Sequence, residues 1–113
     1  MPGYKTMEAQ LKPGNDLDAV KHAGEFFRAH GAQSRPVLLH GIDLTSNSPH
    51  VNIEHVRAFP YERVMQPGME LMLEPCAITS DGMLGLFFGH TYIITDEGAR
   101  RVTNGPDELM VAE

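Results

Sequence analysis

The chain has little cysteine and no long apolar run, and both shortages narrow the kind of protein it encodes. Cys76 is the single cysteine among 113 residues, so no disulfide forms within the chain, as is usual in a reducing compartment. No apolar stretch is long enough for a membrane-spanning helix. The first residues also lack the charged, apolar and small-residue succession of a signal peptide. We therefore expect a cytoplasmic protein that does not enter a membrane.

Basic residues are scarce as well. The chain has nine lysines and arginines and fifteen acidic residues, a formal net charge of −6, and its longest basic run is Arg100-Arg101. This charge balance repels phosphate backbones, so nucleic acid is not an expected partner. Tryptophan is absent and methionine occurs seven times. We interpret the methionines as packing residues of a single domain rather than as metal ligands.

Two helices are predicted in the first third of the chain. The first covers about Tyr4 to Leu11 and ends at Lys12-Pro13-Gly14. The second begins at an N-cap supplied by Asn15 or Asp16 and continues to His30-Gly31, where glycine supplies the C-cap. Apolar residues recur along it at helical spacing: Leu17, Val20, Ala23 or Gly24, and Phe27.

The rest of the chain is predicted to be rich in strands. A short apolar strand over 37–40 places His40 at its end. Residues 43–66 have few periodic signals, which indicates a loop with at most a short strand near 51–56. Further strands are expected over 69–78, 84–95 and 99–103, with a hairpin turn at 79–82. The fold class is therefore α+β, with a curved, mostly antiparallel sheet and one or two helices packed on it.

Glu74 is a candidate functional residue because of its place on a strand. After the turn signal Pro67-Gly68, alternation places Met69, Leu71 and Leu73 on one face and Glu74 on the other. A carboxylate there must be solvated, paired or bound to a cation, because burial alone would be strongly unfavourable. Glu74 is thus a candidate metal ligand. The structural alternative is an ion pair with one of three arginines: Arg57, Arg63 or Arg100.

Five short segments occur in the order and at the approximate spacing of one known superfamily. They are LKPG at 11–14, HGIDL at 40–44, PGMELMLEP at 67–75, HTYIITDEG at 90–98 and PDEL at 106–109. From about Met7 to Leu109 the chain resembles the C-terminal half of the creatinase and methionine aminopeptidase superfamily (peptidase M24), which includes Xaa-Pro aminopeptidases. The resemblance implies half of a pita-bread fold, so that residues 1–113 form a single partial domain.

The resemblance also implies a metal site. Members of this superfamily hold two divalent cations with two aspartates, one histidine and two glutamates, which suit manganese, cobalt, iron or zinc. A water shared by the cations becomes a nucleophile that attacks a peptide or a small amide-like substrate. Carried over onto this sequence, the ligand histidine is His40 and the first ligand glutamate is Glu74. For His40 the structural alternative is a core histidine that donates to a backbone carbonyl.

Three of the five ligands do not carry over. The two aspartates lie upstream of LKPG in the family and have no counterpart here, and the second glutamate falls at Gly89. His90 follows it and is a further candidate ligand, although alternation places it on the opposite face with Tyr92 unless a bulge rotates it. A mononuclear site is the corresponding alternative, with His40, Glu74 and His90 as its ligands.

The loop that follows the first histidine motif departs from the family as well. The family's substrate-assisting histidine falls at Asn47, and Asp43 replaces a glycine. His50 lies close enough to substitute and is the candidate catalytic residue, with a solvated loop histidine as the alternative. Cys76 is interpreted as a small buried hydrophobe, with a thiolate ligand beside Glu74 as the alternative. Three histidines are expected on the surface: His22, His30 and His55.

Two functions follow as hypotheses. In the first, the chain is part of a metallohydrolase, keeps His40 and Glu74, and requires a missing N-terminal half or a homo-oligomer. It is then inactive alone, because two ligands do not fix a catalytic water. In the second, the chain is a non-catalytic module that dimerises or docks through uncovered apolar residues. The residues predicted to be uncovered are Leu86, Phe88 and Ile94.

Overall fold

The computed structural model of the chain describes residues 2–30, 33–34, 37–42, 48–107 and 111–112. The helices are α1 (Pro2–Glu8), α2 (Asp18–Gly24) and α3 (Phe26–Ala29), and a 3₁₀ turn covers Pro60–Glu62. The strands are β1 (Gln33–Ser34), β2 (Val37–Gly41), β3 (His50–Asn52), β4 (Val56–Arg57), β5 (Glu70–Leu73), β6 (Cys76–Ile78), β7 (Gly85–Phe87), β8 (His90–Thr95) and β9 (Gly98–Arg101). No helix in these ranges has the length and apolar character needed to span a membrane.

The strands form two antiparallel sheets. Six strands lie in the order β4-β3-β2-β5-β8-β9, and three lie in the order β1-β6-β7. Every strand pair in both sheets is antiparallel. The predicted α+β class, a mostly antiparallel sheet with helices packed on it, is confirmed.

Pro75 divides the strand that was predicted over 69–78. β5 belongs to the six-stranded sheet and β6 to the three-stranded sheet, so the chain changes sheets at Glu74-Pro75. Proline has no N–H for a ladder hydrogen bond and restricts the backbone of the residue before it, which explains the break. The strand predicted over 84–95 is likewise divided, into β7 and β8.

The hairpin expected at 79–82 is confirmed by the pairing of β6 with β7. Asp81 Oδ1 accepts hydrogen bonds from Thr79 Oγ1 at 2.6 Å and from the N–H of Met83 at 2.9 Å. Gly82 has φ of 76°, a conformation that glycine adopts without strain. These local contacts close the turn.

The segment predicted as a loop over 43–66 contains a second hairpin. β3 pairs with β4, and Asn52 Oδ1 accepts hydrogen bonds from the N–H groups of Glu54 and His55 at 2.9 and 2.8 Å. Asparagine stabilises turns in this way. A single short strand was predicted near 51–56, so its pairing partner was missed. Residues 43–47 lie outside the described residues.

The helices are shorter than predicted. α1 ends at Glu8, and the second predicted helix is divided at Glu25 into α2 and α3. The predicted N-cap, Asn15 or Asp16, is wrong, because Leu17 holds this position and makes no capping hydrogen bond with its side chain. Asp16 lies one residue earlier, where its Oδ1 accepts a hydrogen bond from the N–H of Asp18 at 2.8 Å. Gly31, the predicted C-cap, lies outside the described residues.

The core lies between the helices and one face of the six-stranded sheet. Its fully or almost fully buried residues include Tyr4, Met7, Val20, Leu39, Leu71, Leu73, Tyr92 and Ile94. Burial of one such leucine stabilises the fold by about 2 kcal/mol. The predicted inward face of β5 is therefore confirmed, and Met72 and Glu74 on its other face are half-buried.

Ile94 was expected to be uncovered, and this prediction is wrong. Its side chain is 1% exposed because the inward face of β8 packs in the core. Phe88 is half-buried against the same core, and only Leu86 of the three residues is exposed. The uncovered apolar surface lies further along the β6–β7 hairpin.

Candidate metal-ligand site

The structure brings His40 and Glu74 together. His40 lies in β2 and Glu74 directly follows β5, the neighbouring strand. Nε2 of His40 lies 2.9 Å from Oε1 of Glu74, and both side chains are about one-fifth exposed. The N–H of Glu74 donates to the carbonyl of Leu38 at 2.8 Å, which fixes the end of β5 against β2. None of the three arginines considered for Glu74 is needed to explain its contact.

The hydrogen bonds of His40 orient its ring. Nδ1 lies 2.8 Å from the carbonyl oxygen of Gly41, and because a carbonyl only accepts, Nδ1 carries the proton. Nε2 therefore faces Oε1 of Glu74. A proton or a metal ion between these two atoms makes their contact attractive, since both otherwise present lone pairs. The backbone bond expected for a structural histidine is therefore present, and the same ring also contacts the other candidate ligand, Glu74.

His50 lies beside this pair. It begins β3 rather than lying in a loop, and it is the direct cross-strand partner of His40. Direct partners in an antiparallel pair share a face of the sheet. The pKa of the His50 imidazole is lowered by desolvation, with further lowering from His40, Arg57 and His55. Glu74 acts in the opposite direction and raises the pKa, but the lowering effects are larger.

Gly89 packs against the end of β5, and a metal-ligating side chain at this position would have no room. A Cβ at this position would lie 2.8 Å from the carbonyl oxygen of Leu73, 2.9 Å from Cε of Met72 and 3.0 Å from Cβ of Glu74. The contact with Leu73 involves backbone, so it cannot be relieved by a side-chain rotation. Glycine permits this close approach of two strands.

His90 lies on the opposite face of the six-stranded sheet. It is the direct partner of Leu73, whereas His40 is the direct partner of Met72. The β5–β8 register is regular from Glu70 to Leu73, so no bulge rotates His90. Its side chain is 3% exposed. The structure therefore does not bring His90 to the His40–Glu74 pair, and the three-residue mononuclear set is not assembled.

The bonds of His90 are structural. Nδ1 lies 2.5 Å from Oγ1 of Thr103, and Nε2 lies 3.3 Å from Oδ1 of Asp107. Its ring meets Phe88 edge-on at a centroid distance of 5.2 Å. Both ring nitrogens have partners within the fold, so the side chain is a satisfied core histidine.

Comparison with known proteins establishes the family. Residues 3–96 match the family model for metallopeptidase family M24. The chain belongs to metallopeptidase family M24. A comparison with curated protein sequences gives no match.

Several solved structures are similar in fold to this M24 chain. An X-Pro aminopeptidase from Thermotoga maritima matches 98% of the chain with a TM-score of 0.80 and 17% identity. A prolidase from Pyrococcus furiosus matches 93% with a TM-score of 0.72 and 23% identity. A methionine aminopeptidase from Rickettsia prowazekii matches 88% with a TM-score of 0.70 and 18% identity. The fold of this chain is therefore the fold of a part of these proteins.

The M24 chain spans less than half of each of these structures. The matched part is 31% of the X-Pro aminopeptidase, 30% of the prolidase and 48% of the methionine aminopeptidase. Much of each longer protein has no counterpart in the matched region. The activity of a whole M24 protein therefore does not transfer directly to this chain.

The donor set of this M24 chain fits part of a metal site. Two adjacent ligands of an octahedral ion at about 2.1 Å lie roughly 3 Å apart, close to the 2.9 Å between His40 Nε2 and Glu74 Oε1. Among the described residues, however, no group of three or more histidine, cysteine or acidic side chains could hold a metal ion. The spacing suits a cation, but the number of donors does not.

The other candidates lie elsewhere or remain undescribed. Cys76 is buried in β6 of the three-stranded sheet, whereas Glu74 follows β5 of the six-stranded sheet. Asp43 and Asn47 lie outside the described residues. The three histidines expected on the surface are exposed: His22, His30 and His55.

Sequence reasoning missed a polar network on the core face. Tyr92 Oη donates to Oε2 of Glu8 at 2.5 Å and contacts Oη of Tyr4 at 2.9 Å. The Arg101 guanidinium donates to Oε2 of Glu8, and its Nη1 donates to Oδ1 of Asp107 at 2.6 Å. No short-range signal predicts these contacts, because Glu8 is separated from Tyr92 by 84 positions and from Arg101 by 93.

Proposed function

We propose that residues 1–113 are a partial metallohydrolase domain, the C-terminal half of a pita-bread fold, that contributes His40 and Glu74 to a site for divalent manganese, cobalt, iron or zinc. The observation that supports this most directly is the 2.9 Å contact between His40 Nε2 and Glu74 Oε1 at adjacent strand ends. The remaining donors would come from an N-terminal half or from another copy of the chain. His90 has no place in this set, since it lies on the other face.

The chain alone is inactive in this proposal. A catalytic metal site requires about three protein ligands and one open position for water, and the described residues offer a pair. Gly89 supports the same view, because a side chain there would collide with the carbonyl oxygen of Leu73. Without a fixed cation no water is acidified at neutral pH. No reaction step is therefore assigned to the isolated chain.

The substrate class of the complete site is a peptide or a small amide. The similar structures include an X-Pro aminopeptidase, prolidases and a dipeptidase. His50 is the residue we assign to substrate contact, because it lies next to His40 on the same face. Desolvation lowers its pKa and so favours the neutral imidazole, which can accept one hydrogen bond and donate another.

Metal titration followed by calorimetry tests the ligand assignment. We expect weak, saturable Mn²⁺ or Co²⁺ binding to the chain, loss of that binding in His40→Ala, and retention in His22→Ala, whose histidine is exposed in α2. The chain should not hydrolyse an Xaa-Pro dipeptide detectably in the presence of either Mn²⁺ or Co²⁺. Equal binding by the His40 and His22 variants would contradict the ligand role. Turnover that His40→Ala abolishes would contradict the inactivity of the chain.

A non-catalytic module is the second candidate function. The close packing at Gly89 and the exposed apolar residues of the β6–β7 hairpin favour it. Such a module would dimerise or dock without metal. Complementation separates the two functions: adding a polypeptide that supplies the missing carboxylates would produce metal-dependent hydrolysis in the first case and none in the second.

We also propose a cytoplasmic location and no nucleic-acid or membrane partner. A single buried Cys76 suits a reducing compartment. The formal charge of −6 disfavours contact with phosphate backbones and anionic lipid. Fractionation of cells that express a tagged chain would test the location.

A further inference from the structure

The β6–β7 hairpin carries the most exposed apolar strand of the described residues. All three residues of β7 are exposed, with Leu86 at 49% and Phe87 at 55%. Met83 and Leu84, which precede the strand, are 79% and 71% exposed. An apolar groove borders them on one side, lined by Ala77, Ile78, Thr79, Leu84, Gly85 and Leu86.

The outer backbone of β7 is available for pairing. β7 is an edge strand, bonded to β6 on one side. The N–H of Thr79 donates to Leu84, and the N–H of Phe88 donates to Pro75. Ladder bonds alternate along an antiparallel strand, so the backbone N–H and C=O of Leu86 point toward β6. The backbone N–H and C=O groups of Gly85 and Phe87 therefore point outward.

Both edges of the six-stranded sheet carry charges that protect them. β4, at one edge of the six-stranded sheet, contains Arg57, and β9, at the other, contains Arg100 and Arg101. Charged side chains on an edge discourage strand pairing. Between Cys76 and Gly89 the sole charged residue is Asp81, so two hairpins can approach with little repulsion even though the chain is acidic overall.

We propose that β7 is a homodimer interface in which two copies pair antiparallel about a two-fold axis at Leu86. Gly85 of each copy then lies opposite Phe87 of the other, and their outward groups form four backbone hydrogen bonds. Leu86 meets Leu86 of the second copy in the non-hydrogen-bonded position, where side chains lie closest. The strand is complementary to itself, as an isologous interface requires.

The available area is sufficient for this interface. The exposed parts of Met83, Leu84, Leu86 and Phe87 amount to roughly 500 Å² per copy, so their mutual burial removes at most about 1,000 Å², near the lower bound for a specific protein interface. The interface is independent of the proposed metal site, since β7 belongs to the other sheet.

Sedimentation equilibrium of the chain with and without Phe87→Glu tests the interface. We expect a reversible dimer for the chain, at least a tenfold weaker association for Phe87→Glu, and an unchanged dimer for Tyr61→Glu. Tyr61 is 72% exposed in the 3₁₀ turn beside the six-stranded sheet, so it controls for the loss of an exposed aromatic side chain. A chain that stays monomeric up to its solubility limit, or Phe87→Glu that dimerises as the unchanged chain does, would overturn the proposal.

Gly85→Pro provides a second variant that keeps every exposed side chain. A Cβ at Gly85 has ordinary contacts at 3.6 Å or more, and proline removes an N–H that β6 does not use. This variant should fold and dimerise weakly. Hydrogen exchange needs no variant: the Gly85 and Phe87 amides should become protected as concentration rises. Protection that is independent of concentration would indicate cover by the same chain and would also overturn the dimer.

Discussion

The two faces of the six-stranded sheet carry the same residue type in opposite roles. His40 on one face contacts Glu74 and is about one-fifth exposed, whereas His90 on the other is 3% exposed and bonded to Thr103 and Asp107. The two histidines are one position out of phase across β5, since His40 is opposite Met72 and His90 is opposite Leu73. The face, rather than the residue type, decides between a candidate ligand and a core residue.

The ionisable side chains on the two faces also differ in their contact with solvent. On the core face, burial raises the pKa of Tyr4 to about 12, and burial together with the hydrogen bond to Glu8 raises the pKa of Tyr92. On the candidate-site face, His40 and Glu74 keep contact with solvent. A closed network suits stability, while an open pair is accessible to a cation and to water. Substitutions should therefore affect stability on one face and metal binding on the other.

The largest stability effect is expected for His90→Ala. The substitution leaves a cavity beside Phe88 and removes the partner of Thr103 and Asp107, so the free energy of unfolding should fall by about 3 kcal/mol. Urea unfolding followed by circular dichroism measures the change. Weak metal binding should persist in the folded fraction. Loss of binding without loss of stability would reverse the assignment of the two faces.

A smaller effect is expected for Tyr92→Phe. The hydroxyl that donates to Glu8 and contacts Tyr4 is lost, so the free energy of unfolding should fall by roughly 1 to 2 kcal/mol. Thr91→Val is the matched control, because Thr91 is the adjacent residue on the opposite face. It loses one weak hydrogen bond, from Thr91 Oγ1 to Met72 Sδ at 3.3 Å, so its cost should be smaller, at about 0.5 kcal/mol. Equal losses in the two variants would show that the faces do not differ as described.

Acid should weaken the core-face network. Burial alone would raise the pKa of Glu8, but hydrogen bonds from Tyr92 and Arg101 outweigh it and lower the pKa. Hydrogen bonds from Arg101 and Lys5 likewise hold the pKa of Asp107 well below its ordinary value. A depressed folded pKa stabilises the fold above the ordinary carboxyl pKa of about 4, and this contribution is lost as pH falls through the folded value.

Asp107→Asn measures that contribution. Its melting temperature should lie below that of the unchanged chain at pH 6, and the two should converge as pH falls below about 4. Thermal scans from pH 6 to pH 2.5 at constant ionic strength provide the comparison. A constant difference across this range would mean that the carboxylate of Asp107 does not act through its charge.

The smallest stability effect is expected for His40→Ala. Because the side chain is partly exposed and its partner Glu74 can be solvated, the free energy of unfolding should change by less than about 1 kcal/mol. Metal binding should be lost in the same variant. A loss of stability equal to that of His90→Ala would place His40 among the core histidines.

Local chemistry made several elements predictable. The Pro67-Gly68 turn and the alternation after it gave the inward face of Leu71 and Leu73, which the structure confirms. The 79–82 hairpin followed from its turn residues, and Asp81 closes it. The change of sheets at Pro75 and the β3–β4 pairing were missed, because strand signals do not say which partner a strand selects.

The sequence by itself determined the family, through the order of its short motifs. It also determined the α+β class and the strand faces that carry Glu74 and His90, because turn signals and the alternation of side chains act over a few residues. Only the tertiary structure decided that β2 lies next to β5, which places His40 Nε2 within 2.9 Å of Glu74 Oε1. It also decided that Glu8 pairs with Arg101 across 93 positions. Such contacts depend on packing between distant segments, and no local pattern in the chain encodes them.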